Sequence, residues 1–525
     1  MNMKHETLEK FVLSLPGYYA LPEKQQKNAT KLIKISKKFL HKSKIIFNEG
    51  DDVSDNTIVL ESGHQPNFFP YSGIWKKAFC LNWIKEKLQT EGHESIAFFG
   101  LADQNISTAR ILSKNQIPAL NKDGFIKIGY KIDNSDKLKS FNKVKKPSTE
   151  QWQSEINRIS HHYRDIVNKK RPENSLLKKQ WDTVLELLWN SYEIATNAAE
   201  LNSLIFTKIC HELFAIDVWF FLYSDMHNEL LFLEESRILL RNVSRFNEIY
   251  NQVIAQKGLD IPPVGPAHIP FWYECECGAK TDLMLNDSVT AEGICPLCKK
   301  EYHLYFGDDF QHLSRYSDRM DFNAVSRNIA MAHGLGDTLF ISGAGGSLQY
   351  GKISDQISKD LTFHRPVSLA WRSKDFYLGL SHKAALHELK KTFFLTTEDF
   401  LDSSLTQKIS DYRDQISQQI TLAGNYNDIN KVKQLTGIMS NAKNNAVFAK
   451  KIFSTRSSFI DILANHDTES IVVSWQESLK NTECRQEDGI YLITNDIVYE
   501  SNQCSDIKSD QIPIIYKNIT SIEVP

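Results

Sequence analysis

The residues of this chain best suited to chemistry lie between Ile58 and Lys77. A short apolar run there ends at Gly63, and polar residues and prolines lead into a helical pattern that begins near Gly73. A strand, a rigid loop and a helix in this order can form an anion pocket, because the first helical turn presents unpaired N–H groups at the positive end of the helix dipole. The segment predicts that a phosphate or carboxylate binds at Gly63, His64, Asn67, Gly73 and Lys77. An ordinary loop that only completes its own backbone hydrogen bonds would show the same pattern.

A second polar position follows the next predicted strand. Residues 96–101 are apolar, as expected of a strand covered on both faces, and Asp103 comes just after them. Ligands of parallel sheets bind beyond the carboxyl ends of the strands. We therefore expect Asp103 to face the same ligand, where it would orient an amine or a ribose hydroxyl.

A second glycine-rich loop, residues 341–347, lies between a predicted strand and a predicted helix. It has neither the Gly-Lys-Ser/Thr ending of a phosphate-binding P-loop nor a G-x-G-x-x-G pattern. Alone it fits a plain tight turn, but together with the loop at Gly63 it predicts a small anionic ligand at one edge of a sheet. The residues that would line the opposite wall are Gly343, Gly345, Gly346 and Tyr350, with Arg327 and Arg372 near predicted element ends.

Four cysteines form the strongest single motif of the chain. Cys275 and Cys277 are separated by one residue, and Cys295 and Cys298 form a second pair after seventeen further residues. Four sulfurs in two close pairs suit tetrahedral Zn²⁺, and a site filled by four thiolates has no open position for catalysis. We therefore predict a structural zinc knuckle. His303 is a less favoured replacement ligand.

Bulk composition gives no support for several classes of protein. The chain has 525 residues, of which 41% are hydrophobic and 24% charged, and its net charge is −2. This near-balance gives no support for attraction to nucleic acid or to a membrane surface. No secretory signal is recognised, and the other four cysteines are scattered, so the sequence predicts a cytoplasmic protein in a reducing compartment.

Changes of pattern along the chain predict an α/β protein with several parts. The expected parts are a helical lead-in at 1–50, an α/β core with a helical insertion at 51–260 and 330–380, a zinc knuckle at 261–310, a helical hairpin or coiled coil at 381–462, and a small β-rich tail at 463–525. The tail is predicted from three short β-like runs, at 471–475, 489–493 and 512–516.

Four blocks of this sequence resemble the cysteine-adding enzymes of bacillithiol biosynthesis. They are residues 63–78 with the run Gly-His-Gln-Pro-Asn, residues 98–103 ending in Asp103, the glycine-rich block 337–350, and Trp371-Arg372-Ser373. The blocks occur in the order found in that family, and the resemblance covers roughly residues 50–460. The first block also resembles the WbqC-like proteins of surface-sugar pathways.

The resemblance implies a Rossmann-like core of the HIGH-type nucleotidyltransferase group and a coiled coil that supports homodimers. It also implies a ligase that joins cysteine, or a related carboxylate, to an amino-sugar-type amine, with activation by ATP or another nucleotide. His64, Lys77 and Asp103 would then be the catalytic residues. Two alternatives remain open, a nucleotidyltransferase of a sugar or lipid pathway and a non-catalytic, zinc-containing assembly protein. The family's acidic pair is Ala102-Asp103 in this chain, so one carboxylate of that pair is missing.

Overall fold

The protein is described by a computed structural model that covers residues 5–17, 20–47, 50, 52–119, 121, 123–167, 172–287, 289–343, 346–372, 375–383, 385, 404–480, 482–487, 489–494 and 498–499. Its strands are β1 (His5–Thr7), β2 (Ile58–His64), β3 (Ser95–Leu101), β4 (Lys114–Pro118), β5 (Phe125–Gly129), β6 (Trp219–Leu222), β7 (His268–Glu274), β8 (Lys280–Leu285), β9 (Thr290–Ile294), β10 (Glu301–Tyr305), β11 (Met320–Phe322), β12 (Leu339–Ser342), β13 (Val367–Trp371), β14 (Phe376–Tyr377), β15 (Glu483–Glu487), β16 (Ile490–Ile493) and β17 (Val498–Tyr499).

The α-helices are α1 (Leu8–Leu13), α2 (Glu23–Lys42), α3 (Ser72–Thr90), α4 (Thr149–Val167), α5 (Pro172–Ile194), α6 (Ala198–Phe214), α7 (Tyr223–Asn228), α8 (Leu233–Arg241), α9 (Val243–Lys257), α10 (Ala324–Leu335), α11 (Lys352–Asp360), α12 (Ser404–Asn425), α13 (Ile429–Ser454), α14 (Phe459–Asn465) and α15 (Thr468–Lys480). A short π-helix, Gly346–Gly351, precedes α11. Among the described residues, no helix combines the length and the apolar character needed to cross a bilayer.

An eight-stranded sheet forms the centre of the molecule, in the order β1-β15-β16-β13-β12-β2-β3-β6. The six strands from β16 to β6 are parallel, and β15 and β1 continue the sheet antiparallel. Read across the sheet from β6 to β16, these six strands are the third, second, first, fourth, fifth and sixth in chain order. The direction of winding therefore reverses between β2 and β12, and open parallel sheets bind ligands beyond the carboxyl ends at such a point. The prediction of a mixed α/β protein with a central sheet is confirmed.

Aromatic side chains join the sheet to the helices that carry site residues. Phe99 of β3 lies 5.4 Å from Phe206 of α6 and 5.6 Å from Phe220 of β6, measured between ring centroids. Trp75 of α3 packs on Phe206 at 4.5 Å. Helix α3 is buried on most of its circumference, so its position relative to the carboxyl ends of β2 and β3 is fixed by packing.

The cysteine motif lies in a separate antiparallel sheet of order β10-β9-β8-β7-β11. Cys275 and Cys277 occupy the turn between β7 and β8, and Cys295 and Cys298 occupy the turn between β9 and β10. Further along the chain, α12 and α13 pack against each other as a helical hairpin. Residues 386–403 of the predicted helical segment lie outside the described residues.

The predicted β-rich tail is wrong in two respects. Residues 471–475 are helical, because Ile471, Trp475 and Leu479 recur at a spacing of four and are all buried. Their β-branched residues suggested a strand, but Trp475 packs on Phe79 and Phe214, and this packing requires a helical face. Strands β15 and β16 then join the central sheet next to β13 and do not form a separate appendage. The third run, 512–516, lies outside the described residues.

Candidate functional site

The two glycine-containing loops, which follow β2 and β12, leave the central sheet side by side. Strands β2 and β12 are parallel neighbours, with Ser62 opposite Ile341, and the Ser62 hydroxyl donates to the Ile341 carbonyl at 2.7 Å. Gly63 and Gly343 follow these residues at the carboxyl edge, where the winding of the sheet reverses. The structure therefore brings together two segments that are nearly three hundred residues apart in sequence.

Lys77 reaches this edge from the second turn of α3. Its side chain is buried, and Nζ donates to the Gly63 carbonyl at 2.6 Å. Burial, reinforced by the nearby positive charge of Arg327, lowers the pKa of Lys77 to about 7, while Glu61 opposes this shift. The amine is therefore close to its titration midpoint at neutral pH, which is rare for a lysine and frequent at functional sites.

His64 ends β2 and is half-buried. Its Nδ1 lies 2.9 Å from the carbonyl oxygen of Gln65. Burial, together with the positive charges of Lys77 and Arg327, lowers the pKa of His64 to about 3. The imidazole is neutral at physiological pH and can act there as a hydrogen-bonding group, whereas it supplies no positive charge to an anion.

Tyr223 is a residue at this edge that the sequence analysis missed. It follows β6, and its ring and hydroxyl lie over Gly63 and Gly100, where an added Cβ would come within 2.9 Å and 2.5 Å of the tyrosine. Both positions must therefore be glycine, because a side chain at either one would collide with Tyr223. The guanidinium of Arg327 stacks 4.8 Å from the Tyr223 ring, which places one predicted arginine beside the edge.

Two acidic side chains meet beneath the edge, and the sequence analysis did not single them out. Glu61 and Asp337 are both buried, and no described residue donates a hydrogen bond to either oxygen of the Asp337 carboxyl. The two carboxyls contact each other, and burial raises the pKa of both, that of Asp337 well above its ordinary range. Two carboxyls in such contact satisfy each other when they share one proton. A glutamate within an apolar strand was the signal in the sequence.

Asp103 lies just beyond β3 and is almost fully buried. It accepts hydrogen bonds from the Ser224 backbone at 3.1 Å, the Ser224 hydroxyl at 2.5 Å and the Asn142 amide at 3.3 Å. Burial nevertheless raises the pKa of Asp103 to about 7, with Asp225 and Asp321 adding to the effect. Asp103 thus holds the first turn of α7 and the segment around Asn142 together.

Several buried amide oxygens near Asp103 and His64 have no donor among the described residues. They belong to Asn67, Gln104 and Asn142. Gln104 follows Asp103 directly, and the Asn142 side chain contacts the Asp103 carboxylate. Buried polar atoms normally have partners, so three acceptors without a donor among the described residues set this region apart.

The other predicted residues lie around the edge with less specific surroundings. Gly73 is exposed in the first turn of α3, and the loop that precedes this helix is held at Pro70 by the Phe459 backbone at 2.9 Å. Arg372 is exposed just beyond β13. Tyr350 is half-buried in the π-helix that begins at Gly346, and Gly345 lies outside the described residues.

Lys76 is adjacent to Lys77 in sequence, but its side chain has other partners. Its Nζ forms a buried ion pair with Asp375 at 2.7 Å and lies 3.8 Å from the ring centroid of Trp371. Helix geometry turns neighbouring side chains by about 100°, so the two lysines point to different surroundings. Lys76 is hydrogen-bonded to a carboxylate, whereas within the described residues no carboxylate is hydrogen-bonded to Lys77.

The four predicted metal ligands converge. The Sγ atoms of the four cysteines lie within 4.8 Å of one another, with Cys275 and Cys298 at 3.4 Å and Cys277 and Cys295 at 3.6 Å. Sulfur ligands about 2.3 Å from a tetrahedral zinc lie about 3.8 Å apart, so this cluster fits such an ion. His303 points instead to Glu292, at 3.1 Å. The four cysteines can therefore hold a metal such as zinc.

Comparison with known proteins identifies no family for this chain. It matches no model of a protein family and no curated protein. Among solved structures, a Campylobacter jejuni protein provisionally named an arginyl-tRNA synthetase aligns over 86% of this chain and 98% of its own length, with 10% sequence identity and a TM-score of 0.23. At that TM-score the likeness supports no conclusion about fold or activity.

Proposed function

We propose that this protein is a carbon–nitrogen ligase that joins an amino-acid carboxylate to an amine, as in the cysteine-adding enzymes of bacillithiol biosynthesis that its sequence resembles. The observation that carries the proposal is the buried Lys77 amine, which lies at the reversal point of a parallel sheet without a carboxylate hydrogen-bonded to it among the described residues. A charged amine in such a place is stabilised by an anionic ligand.

One half of the site suits an anion. Lys77 and Arg327 supply positive charge, and neutral His64 supplies a hydrogen bond. No described atom beyond the chain neighbours of Gly343 lies within 4 Å of a Cβ added there, which leaves the backbone open to a ligand on the side that the structure describes. In this proposal the sheet is a Rossmann-like core of the HIGH-type group and the anion is the carboxylate being activated or the phosphate of a nucleotide.

The other half suits an amine. Asp103 and the unpartnered amide oxygens of Gln104 and Asn142 are hydrogen-bond acceptors. An amine nucleophile carries donors and, when protonated, a positive charge that a carboxylate stabilises. Asp103 would therefore orient the amine toward the activated carbonyl carbon.

The reaction requires an activated carboxylate because an amine does not displace hydroxide from a carboxylate at a useful rate. ATP would transfer a phosphoryl or adenylyl group to the carboxylate oxygen, and the amine nitrogen would then form the amide bond as phosphate or AMP leaves with that oxygen. The amine loses one proton in this step. Lys77 helps to neutralise the departing phosphate oxygens in its charged form.

The proposal has three further parts. A structural zinc ion binds the four cysteines, the hairpin of α12 and α13 supports a homodimer, and the protein acts in the cytoplasm on small molecules rather than on nucleic acid or membranes. Zinc content by mass spectrometry of the native protein is expected to be about one ion per chain.

The direct test is a ligation assay with cysteine, glucosaminyl-malate and Mg-ATP, with the amide detected by mass spectrometry. Asp103→Asn and Lys77→Met should each lower the rate at least about a hundredfold, and Asp133→Asn, at an exposed position, should leave it unchanged. Release of pyrophosphate without amide formation would indicate a nucleotidyltransferase instead. Absence of any product, together with no thermal shift on adding ATP, ADP or cysteine, would overturn the enzyme proposal in favour of an assembly protein.

A further inference from the structure

We propose that the metal held by the four cysteines positions the carboxyl edge of the central sheet around Asp103. The cysteine turn at 275–279, termed here the knuckle, contacts a segment at 138–143, termed the edge segment, and the edge segment in turn holds Asp103. The inference takes Asp103 as part of the ligand site and to that extent rests on the proposed function. Its test does not need activity.

Backbone hydrogen bonds join the knuckle to the edge segment. Ser140 donates its N–H to the Gly278 carbonyl at 2.8 Å, and Lys280 donates to the Leu138 carbonyl at 3.3 Å. Lys139 and Ala279 form an antiparallel bridge between them. Gly278 also lies close to the Lys143 side chain, because an added Cβ would come within 3.0 Å of the lysine Cβ. The two segments therefore pack as one short antiparallel ribbon.

The edge segment is bonded to the loop that follows β3. Asn142 donates its backbone N–H to the Asp103 carbonyl at 2.9 Å and its side-chain amide to the Asp103 carboxylate. Phe141 donates to the Asn105 carbonyl at 2.8 Å, and the Ser140 hydroxyl donates to the Gln104 carbonyl at 3.1 Å. Three consecutive residues of the edge segment thus hold three consecutive residues of the sheet edge.

The conformation of the knuckle depends on what joins its thiols. Gly278 has a φ of +86°, and the turn is closed by hydrogen bonds between Cys275 and Gly278 and between Cys275 and Ala279. Lys300 and Tyr302, which follow the turn of Cys295 and Cys298, also contact this turn: Lys300 pairs with Glu276 at 3.1 Å, and the Tyr302 hydroxyl lies 3.0 Å from Cys275 Sγ. The four sulfurs add a third approach between the two turns. A bound metal joins the two turns by four strong bonds, and thiols without a metal do not, so metal binding stabilises this fold locally.

A second set of contacts leads to the same edge. The Lys280 ammonium, next to the knuckle, is paired with Asp321, and His227 Nε2 lies 3.4 Å from the other oxygen of that carboxylate. All three side chains are buried. His227 belongs to α7, whose second residue, Ser224, donates two hydrogen bonds to Asp103. Displacing the knuckle would therefore disturb Asp103 from both sides.

Hydrogen exchange measured by mass spectrometry tests the inference on the full chain. Protein that contains its metal is compared with protein treated with a chelator and reductant, and with the same sample after zinc is added back. Removal of the metal should accelerate exchange at residues 103–107 and 138–143 by about tenfold or more, and zinc should reverse the change. Helix α5 serves as the internal control. Acceleration confined to 275–298 would overturn the inference, as would a chain without stoichiometric metal.

A matched pair of variants separates this coupling from a general loss of stability. Ser140 has a φ of −57°, which proline adopts without strain, so Ser140→Pro removes the N–H that binds Gly278. Ser140→Ala removes only the hydroxyl contact and keeps the N–H. Both variants lose the hydroxyl contact with Gln104, so Ser140→Pro should retain the metal yet exchange at 103–107 about fivefold or more faster than Ser140→Ala. Equal exchange in the two variants would contradict the coupling.

Failures of the two proposals give different results. If metal removal loosens residues 103–107 but the metal-containing protein ligates no amine, the ligase proposal alone is wrong. If ligation occurs and those residues exchange equally with and without metal, the positioning role alone is wrong.

Discussion

Helix α3 carries two adjacent buried lysines whose surroundings differ. One region pairs the lysine charge with a carboxylate, and the other places the lysine beside a second positive charge. On one side, Lys76 is paired with Asp375 and packed on Trp371, so its charge is matched. On the other, Lys77 donates to the Gly63 carbonyl beside Arg327, and burial lowers its pKa to about 7. Burying a charge without an oppositely charged partner destabilises the fold, and such charges are found at functional sites where a bound ligand stabilises them.

The difference separates a structural lysine from a candidate ligand-binding lysine by contacts alone. Both residues are buried and both lie on the same helix turn, so neither burial nor position distinguishes them. The identity of the partner does, since a carboxylate stabilises the charge whether or not a ligand is present. Lys77 is left to be neutral or to bind an anion.

The largest expected effect is on the Lys76 side. Asp375→Ala removes the carboxylate from a buried ion pair and should lower the free energy of unfolding by about 3–5 kcal/mol. Urea unfolding at pH 7.5 measures it, with Asp133→Asn as the surface control. A loss below about 1 kcal/mol would mean that this pair is no more structural than an exposed one.

Lys77→Met should raise the free energy of unfolding, and the size of this effect should depend on pH. The unfolded lysine titrates near 10.5 and the folded one at about 7, so the cost of burying the charge is complete below pH 7 and disappears as the pH rises toward 10.5. The variant should therefore exceed the wild type in unfolding free energy by about 2–4 kcal/mol at pH 6.5, and this advantage should shrink at pH 9.5. An advantage that does not change with pH would contradict the shifted pKa.

Asp103→Asn should show the reverse dependence. Burial raises the pKa of Asp103 from 3.8 to about 7, so the unfolded state loses its proton first and the wild type is destabilised as the pH rises from 4 to 7. The free energy of unfolding of the variant, relative to that of the wild type, should rise by about 2–3 kcal/mol over that range. Above pH 7 this difference should stay constant. Chemical unfolding at pH 4.5, 6 and 8 would show this trend, and a parallel course for the two proteins would exclude it.

A smaller effect is expected on anion binding. Lys77 attracts an anion only while it is protonated. The charge of sulfate is constant over this pH range, so its affinity should fall about tenfold for each pH unit above 7, which is a loss of about 1.4 kcal/mol of binding free energy per unit. Isothermal titration from pH 6 to 9 measures it. Lys77→Met should bind weakly at every pH, and a wild type that follows the same flat profile would place the anion elsewhere.

Patterns that are local in sequence predicted much of this structure. The spacing of the cysteine pairs predicted the convergence of four sulfurs, and the apolar runs predicted β2, β3 and β12. The meeting of the loops after β2 and β12 was also expected, because parallel strands of one sheet end at a common edge.

Contacts between distant segments could not be predicted from those patterns. Tyr223 lies over Gly63 and Gly100, and Glu61 meets Asp337, only because β6, β2 and α10 assemble in three dimensions. The run at 471–475 has strand-like residues, yet tertiary packing of Trp475 determines a helix. The difference between Lys76 and Lys77 is of the same kind, since their partners come from outside α3.

The most direct test is the titration of Lys77 itself, followed by ¹³C NMR of the lysine Cε with Lys77→Met used to assign the signal. We expect a midpoint near pH 7 in the protein alone and a clear rise of that midpoint when ADP or sulfate is bound, since an anion stabilises the charged amine. A midpoint near 10.5 that no anion moves would contradict the assignment of the β2–β12 edge as the ligand site.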